Sequence, residues 1–211
     1  MTDQRANIAW SAEGVPISTR FDDPYFSLAD GLEETRHVFL SGNDLPARFR
    51  DGFHVAELGF GTGLNFLATV QAWRAAGIPG RLHFTSFEAF PMSDSDRTRA
   101  LAAYDGLPVD ALSGADDVNL TIVEGDARET LPRWDGCADA WFLDGFSPAK
   151  NPELWEEPLL AEVARHTAPQ GTAATYTAAG FVRRGLEAAG FSVTRVTGYG
   201  RKRHMTRAVL A

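Results

Sequence analysis

From residue 53 onward, short apolar runs typical of β-strands alternate with segments whose apolar residues recur at helical spacing. The predicted strands are Phe53 to Leu58, Leu82 to Glu88, Asn119 to Val123, Ala138 to Leu143, Thr172 to Tyr176, Ser192 to Val196 and Thr206 to Leu210. The predicted helices are Leu64 to Ala76, Asp94 to Tyr104, Ala127 to Leu131, Glu153 to His166 and Ala179 to Ala189. This alternation predicts an α/β fold with a mostly parallel, seven-stranded sheet covered by helices. Gly198 and Gly200 suit the turn of an antiparallel hairpin that carries the last strand.

The first fifty residues do not follow this alternation. We interpret Pro24 to Arg50 as a cap over the mouth of a ligand site, so that residues 1–50 form an N-terminal cap segment and residues 51–211 the main domain. A chain of 211 residues with 44% hydrophobic content can bury one sizeable core but has little room for a second. The two parts are therefore expected to form a single structural domain.

Cysteine usage and hydropathy predict a cytoplasmic protein without a membrane partner. Cys137 is the single cysteine and cannot form an intramolecular disulfide. The first thirty residues contain no basic segment followed by an apolar run and a cleavage site. Every apolar run is broken by charge, Gly or Pro before it approaches the roughly 20 residues that span a bilayer.

The net charge of −8 argues against a nucleic-acid partner, because such proteins usually present a positive surface to the phosphates. Charge is unevenly distributed, however. The last stretch holds a basic cluster, with two arginines just before it: Arg201, Lys202, Arg203, His204, Arg207, Arg183 and Arg184. This cluster is either a local RNA-binding face or an ordinary solvated edge, and charge pattern alone does not choose between them.

A glycine-rich motif, Glu57-Leu-Gly-Phe-Gly-Thr-Gly63, lies where the first strand of the alternation turns into a helix. Glycines allow a tight turn and a close backbone approach to a ligand. Dinucleotide-binding folds use a related pattern, but they require a glycine where this chain has Leu64. An acid at Glu57 would repel a pyrophosphate and attract a sulfonium or an amino group. The motif therefore favours S-adenosylmethionine (SAM) over a nicotinamide cofactor.

Two further acids follow successive predicted strands. Glu88 ends the second strand, where the paired oxygens of a carboxylate match the vicinal hydroxyls of a ribose. Asp126 follows the third strand, within reach of an adenine amino group. Each acid alone is more often a helix cap or a surface residue. Acids at several strand ends indicate a ligand, because the carboxyl edge of such a sheet is where ligands bind.

The segment Trp141 to Trp155 (WFLDGFSPAKNPELW) follows the fourth predicted strand. Asp144 would leave the sheet beside the reacting methyl group, followed by Phe146 and a turn stiffened by proline. Asp144 could instead be a turn former, with Phe146 and Trp155 in the core. That alternative accounts for the aromatic residues but not for an acid at the end of so apolar a strand.

Six segments together resemble one family, the methyltransferase domain of MnmC, whose stand-alone versions are called MnmD. They are Phe26 to Phe39, Gly42 to Phe49, Glu57 to Ala68, Trp141 to Trp155, Ala179 to Gly185 and Gly200 to Arg203. They occur in the family's order and are spread over nearly the whole chain. His204 departs from the pattern, because an acid is expected after Arg203.

The resemblance implies a Rossmann-like class I SAM-dependent methyltransferase fold and a tRNA substrate. It implies transfer of a methyl group to the exocyclic amine of 5-aminomethyl-(2-thio)uridine at the wobble position, giving 5-methylaminomethyl-(2-thio)uridine. Bifunctional MnmC proteins carry a second, FAD-dependent domain, which these 211 residues do not contain. The expected cofactor is therefore SAM, with no FAD and no metal. The substrate amine is expected from a separate FAD-dependent oxidase or from the enzyme complex that installs the aminomethyl group.

The expected site residues fall into three groups. Cofactor-binding residues are Glu57, Gly59, Gly61, Gly63, Asn65, Glu88, Asp126, Ala127 and Asp144. Asp144 and Phe146 are the catalytic candidates: Asp144 orients the amine, with or without taking its proton, and Phe146 or Trp155 walls the pocket or stacks on the uracil. Arg201, Lys202 and Arg203 join Trp155 as residues expected to bind tRNA.

Three other function classes fit the sequence less well. A small-molecule amine methyltransferase explains the acidic charge better but gives no reason for the basic cluster. Glu57 and Leu64 disfavour a nicotinamide-dependent oxidoreductase. The acids at the strand ends disfavour a noncatalytic RNA-binding or scaffold protein.

Overall fold

The computed structural model describes residues 5–27 and 30–211. Residues 1–4 and 28–29 of the predicted N-terminal cap segment lie outside the described residues. The described part begins with a small antiparallel sheet, β1 (Ile8–Trp10), β2 (Pro16–Ser18) and β3 (Asp23–Pro24), in the order β1-β2-β3. Helix α1 (Gly31–Thr35) follows, and Asp30 caps it by accepting a hydrogen bond from the Glu33 amide.

The remaining elements build the predicted α/β alternation. Its strands are β4 (His54–Leu58), β5 (Leu82–Glu88), β6 (Val118–Glu124), β7 (Ala138–Leu143), β8 (Thr167–Thr175), β9 (Phe191–Thr197) and β10 (His204–Leu210). Its helices are α2 (Leu64–Ala76), α3 (Asp94–Leu101), α4 (Ala127–Thr130), α5 (Glu157–Arg165) and α6 (Gly180–Ala188).

The main sheet has seven strands in the order β6-β5-β4-β7-β8-β10-β9. Strands β4 to β8 run parallel, whereas β10 runs antiparallel to both β8 and β9. This arrangement confirms the predicted fold, including the terminal antiparallel hairpin. The order reverses between β4 and β7, the kind of position where open α/β sheets bind ligands.

Two element boundaries differ from prediction by four residues or more, each for a local reason. Strand β8 begins five residues early because Thr167 already pairs with Ala138, after which a bulge shifts the register. Helix α5 begins at Glu157 instead of Glu153. The residues before it, Pro152–Trp155, form a short 3₁₀ turn, and the extended Glu156 is the N-cap residue of the helix, with Pro158 in its first turn.

The second half of the N-terminal segment packs into the core. A π-helical turn, Arg36–Leu40, places Val38 and Phe39 against the main sheet, and both side chains are buried. A Cβ on Gly42 would lie 2.7 Å from the Ala174 Cβ of β8, so a larger residue there would push this segment off the sheet. Residues 36–50 are thus packed into the core of the main domain. The residues before them are left to cover the carboxyl edge of the sheet.

Within residues 5–27 and 30–211, no helix has both the length and the hydropathy needed to cross a bilayer. The same residues contain no group of three or more His, Cys, Asp or Glu side chains arranged to hold a metal ion.

Candidate active site

A cavity of about 1020 Å³ opens where the carboxyl ends of the parallel strands meet the N-terminal segment. Its walls come from the turns after β4, β5, β6 and β7, from the end of β8, from the β9–β10 turn and from residues within 20–39. The predicted site residues that line it are Gly59, Gly61, Asn65, Glu88, Asp126, Ala127, Asp144, Phe146, Arg201 and Lys202. The lining does not include Glu57, Gly63, Trp155 or Arg203.

The turn after β4 depends on glycine. Gly59, Gly61 and Gly63 have φ angles of 91°, 51° and 79°, in the region that side chains other than glycine rarely adopt. A Cβ on Gly59 would lie 2.7 Å from the Asp144 carbonyl oxygen, so glycine lets the two neighbouring turns approach. Gly63 caps α2 behind the cavity wall.

All three glycine N–H groups donate within the protein. Their acceptors are Phe87 O for Gly59, a Glu88 carboxylate oxygen for Gly61 and Phe60 O for Gly63. A dinucleotide-binding turn points free amides at a pyrophosphate. Here these amides are already paired, so the turn does not offer them to a phosphate.

Asn65 connects three parts of the site. Its Nδ2 donates to Glu57 Oε1 at 2.9 Å and to Asp144 Oδ2 at 2.6 Å. Its Oδ1 accepts a hydrogen bond from the Thr35 hydroxyl at 2.7 Å. Glu57 is fully buried behind it and also accepts from Ser86, and burial raises the pKa of Glu57 to about 8. Glu57 therefore acts on the cavity by holding Asn65, which in turn holds Asp144.

Glu88 lies at the end of β5 and shapes the cavity directly. Its two carboxylate oxygens accept hydrogen bonds from the amides of Gly61 at 2.9 Å and Phe90 at 2.7 Å. Burial raises its pKa, although these bonds to the charged form lower it. A carboxylate held in this way keeps its remaining lone pairs for hydroxyl donors of a ligand.

Asp126 and Ala127 form the start of α4, where they line the cavity. The Asp126 carboxylate caps the helix through the Arg128 amide and pairs with the Arg128 guanidinium. Those Arg128 contacts lower the pKa of Asp126, so this acid is ionised at neutral pH. Ala127 is 3% exposed, which makes it a close-packed part of the wall.

Asp144 and Phe146 lie next to each other on the turn after β7. Burial raises the pKa of Asp144 to about 7, against the hydrogen bond from Asn65 that favours its charged form. The Phe146 ring stacks on Phe21 with centroids 4.8 Å apart, and the Tyr25 ring meets it edge-on at 5.0 Å. The N-terminal segment thus completes the aromatic wall beside Asp144.

The structure corrects the expectation for Trp155. Its side chain is 2% exposed in the core, so it has no free face for stacking on a base. Its Nε1 donates to Phe146 O at 2.9 Å, and its ring packs edge-on against Tyr176 at 6.3 Å. Trp155 therefore supports the cavity wall from behind, and Tyr176 is the aromatic residue that lines the cavity on that side.

The β9–β10 turn brings part of the basic cluster to the cavity mouth. Arg201 and Lys202 line the cavity, and Arg203 is exposed beyond it. Lys202 Nζ lies 2.8 Å from Glu34 Oε1 and 3.9 Å from the centre of the Tyr176 ring. Lys202 is thus not an isolated surface cation.

The site residues that sequence reasoning missed include Phe21, Glu34 and Tyr176. They come from segments far apart in the chain, and the contacts that unite them depend on how the N-terminal segment folds over the sheet. The sequence feature that could have indicated one of them is the resemblance over Phe26 to Phe39, because that segment contains Glu34.

Comparison with known proteins identifies the family. A family model described as S-adenosyl-L-methionine-dependent methyltransferase matches residues 107–211. The bifunctional tRNA 5-methylaminomethyl-2-thiouridine biosynthesis protein MnmC of Pseudomonas paraeruginosa is 47% identical, over 96% of this chain and 34% of that protein. The chain belongs to the MnmC methyltransferase-domain family. MnmC of Chromobacterium violaceum is 44% identical over 100% of this chain and 35% of that protein. The chain thus spans about a third of the length of these curated MnmC relatives.

A crystal structure of MnmC2 from Aquifex aeolicus matches with a TM-score of 0.79 and 27% identity, over 99% of this chain and 72% of that one. Streptomyces venezuelae DesVI matches with a TM-score of 0.52 and 13% identity, over 85% of this chain and 92% of that one, a likeness in fold alone. These matches confirm the predicted family, the methyltransferase fold and the SAM-dependent enzyme class.

The cavity fits SAM, the cofactor of this MnmC-related family. SAM carries a sulfonium, an ammonium, a ribose diol and an adenine, and it has no phosphate. Carboxylates line the cavity on several sides, at Glu34, Glu88, Asp126 and Asp144, and the glycine amides of the turn are already paired. We expect Glu88 to hold the ribose, and Asp126 with Ala127 to hold the adenine.

Proposed function

We propose that this chain methylates the exocyclic amine of 5-aminomethyl-(2-thio)uridine at the tRNA wobble position, giving 5-methylaminomethyl-(2-thio)uridine. The observation that carries the proposal is the position of Asp144, an acid with a pKa of about 7 beside the glycine turn of a SAM-type cavity. The MnmC relatives, named for biosynthesis of that nucleoside, supply the substrate class. A tRNA substrate would also place the protein in the cytoplasm.

The reaction needs a neutral amine held close to the methyl donor, at roughly 3 Å with its lone pair aimed at the methyl carbon. SAM would supply an electrophilic methyl group whose carbon–sulfur bond breaks as the amine nitrogen forms its new bond. Asp144 would accept a hydrogen bond from the amine and take a proton from its ammonium form. A pKa near 7 suits that role, because such an acid can take up and release a proton at neutral pH.

Asn65 keeps Asp144 in position for this step. Its amide donates to Asp144 Oδ2, while Glu57 and Thr35 fix the amide from behind. Asp144 Oδ1 would then face the substrate. The Phe146 ring, backed by Phe21, would limit how the uracil enters.

Access for an RNA substrate is supported by the exposed basic residues at the cavity mouth. Arg201 lines the mouth, and Arg203 lies beyond it on the same turn. Arginines in this place would contact phosphates while the base reaches Asp144. The aminomethyl group itself would come from an FAD-dependent oxidase or from the enzyme complex that installs it.

A small-molecule amine is the second candidate substrate, favoured by the net charge of −8. It would use the same cofactor residues and the same acid. The two candidates differ in whether the basic turn is needed, and they are separated by offering both kinds of substrate to the protein.

The test is nucleoside mass spectrometry after incubation with labelled SAM. The expected result is a gain of one labelled methyl group on the 5-aminomethyl nucleoside of tRNA, with no label in tRNA that lacks the aminomethyl group. Label in free amines and none in tRNA would reject the tRNA substrate in favour of the second candidate.

A further inference from the structure

The ammonium of Lys202 lies in a pocket suited to a cation. It pairs with Glu34, whose side chain is only 12% exposed, and lies over the face of Tyr176. We call Glu34 and Tyr176 the ammonium site. A carboxylate beside an aromatic face is a common way to bind a primary ammonium.

The rest of the wall leaves the Tyr176 ring available to a cation. Its hydroxyl donates to Gly145 O at 2.7 Å, which fixes the ring, and Trp155 packs against it from behind. Burial, together with Asp144, Asp23 and Glu34, raises the pKa of Tyr176, so the ring stays a neutral phenol. Tyr176 therefore presents an aromatic face, not its hydroxyl, to the cavity.

The ammonium site lies close to the predicted catalytic acid. Glu34 raises the pKa of Asp144 and Lys202 lowers it, after the larger effects of burial and Asn65, so the three groups share one electrostatic environment. The Tyr176 hydroxyl reaches the backbone of Gly145, which directly follows Asp144. A cation bound at the ammonium site would therefore lie near Asp144.

We propose that Glu34 and Tyr176 recognise the protonated aminomethyl group of the substrate, and that Lys202 occupies this site until the substrate displaces it. This inference rests on the proposed function. Both cations are primary ammonium groups, so one site accepts either. Glu34 would capture the ammonium, Asp144 would take its proton, and the displaced Lys202, whose side chain is 44% exposed, would turn toward a tRNA phosphate.

A structural latch is the competing explanation, in which Lys202 and Glu34 only tie the β9–β10 turn to α1. The two explanations predict different directions for the changes in amine affinity. Breaking a latch from either partner has the same effect on ligand binding. Removing a competing cation strengthens binding of an amine, whereas removing the carboxylate weakens it.

The experiment is calorimetry of nucleoside binding in the presence of S-adenosylhomocysteine, which prevents turnover. The probes are 5-aminomethyluridine and its neutral analogue 5-hydroxymethyluridine, and neither carries a phosphate that could contact Lys202. Glu34→Gln should weaken binding of the amine about tenfold, as expected for one charge-assisted hydrogen bond, and leave the neutral analogue unchanged. Lys202→Met should strengthen binding of the amine several-fold.

Glu33→Gln is the matched control, because Glu33 is the preceding residue of α1 and pairs with Arg36 outside the cavity. It should bind both nucleosides like the parent. Lys202→Met removes an exposed charge and does not alter Glu34. The direction in which it changes the affinity for the amine therefore decides between the two explanations.

Weaker amine binding in both variants, or parental binding in both, would overturn the ammonium site. So would a parent protein that binds the two nucleosides equally well. These outcomes are separate from the proposed function. If the parent prefers the amine but never methylates tRNA, the proposed function alone is rejected. If the parent methylates tRNA but the two variants do not change amine affinity in opposite directions, the ammonium site alone is rejected.

Discussion

The two edges of the main sheet use polar residues in opposite ways. At the carboxyl edge, burial raises the pKa of Glu57, Glu88 and Asp144, and the acids outnumber the cations near them. At the amino edge, the polar groups around Asp139 are matched. Asp139 accepts hydrogen bonds from the His54 amide at 2.9 Å and from Arg50 at 2.7 Å.

Arg48 provides hydrogen-bond donors for further polar groups at the amino edge. Its guanidinium donates to the carbonyls of Asn43 at 3.1 Å and Asp139 at 3.0 Å, and to the Thr172 hydroxyl. These bonds fasten the buried N-terminal segment to β7 and β8. Paired polar groups of this kind support the fold, whereas unbalanced buried acids mark a ligand site. Changes at the carboxyl edge should therefore affect ligand binding and chemistry, and changes at the amino edge should affect stability.

The largest effect is expected for Asp144→Asn, which keeps the side-chain shape and removes the charge. Turnover should fall by ~10²-fold or more at neutral pH, because an amide cannot take the proton of the amine. Raising the pH supplies more neutral amine and should recover part of the loss. Single-turnover rates at saturating SAM and tRNA measure the effect, with SAM affinity determined on the same variant.

Asp139→Asn makes the same chemical change at the opposite edge and is the control. It should leave the single-turnover rate near that of the parent. A folded Asp144→Asn protein with parental rates would remove Asp144 from the chemistry, and a loss that pH does not mend would limit it to positioning the amine.

A smaller effect is expected for Glu88→Gln. SAM should bind about 1.5–3 kcal/mol more weakly, because the ribose diol would lose a charged acceptor. Glutamine keeps one oxygen for the Gly61 or Phe90 amide, so it disturbs the fold less than alanine would. Calorimetry with SAM measures the change.

Glu124→Gln provides the comparison for Glu88. Glu124 pairs with Glu88 in register on β6 but is exposed and does not line the cavity. The SAM affinity of the Glu124→Gln variant should match that of the parent. Parental affinity in the Glu88 variant would show that the diol is held elsewhere.

The main sheet was predictable because its signals are local. The first four predicted strands are each an apolar run ended by an acid or a glycine, as in Phe53 to Leu58, and α2 begins and ends where the sequence indicates. The acids lining the cavity followed from the rule that strands of a parallel sheet end at one edge. Glu57 was harder, because sequence does not distinguish an acid that lines a cavity from one buried behind Asn65.

The cavity walls contributed by the N-terminal segment were not predictable in detail. The contact of Phe21 with Phe146 joins residues more than a hundred positions apart, and periodicity carries no information about such pairs. The burial of Trp155 has the same origin. An aromatic residue after a proline-rich turn fits a pocket wall or a core equally well, and packing against Tyr176 decides between them.

The smallest effect is expected at the amino edge, for His54. Burial lowers its pKa to about 4, with His83 adding to that and Asp139 opposing it. The unfolded chain therefore takes up this proton near pH 6.5, before the folded protein does. The free energy of unfolding should fall by about 2 kcal/mol between pH 7 and pH 5 from this histidine.

Urea unfolding of the parent and of His54→Gln at both pH values isolates this contribution. The variant should lose less stability than the parent on acidification, because glutamine has no proton to take up. SAM affinity at pH 7 should be the same in both proteins, since His54 is at the start of β4 and the cofactor residues are at its other end. An equal pH dependence would mean that the His54 ring is as free to ionise as in the unfolded chain. A change in SAM affinity would show that the two edges are coupled through β4, and the contrast between them would then have to be abandoned.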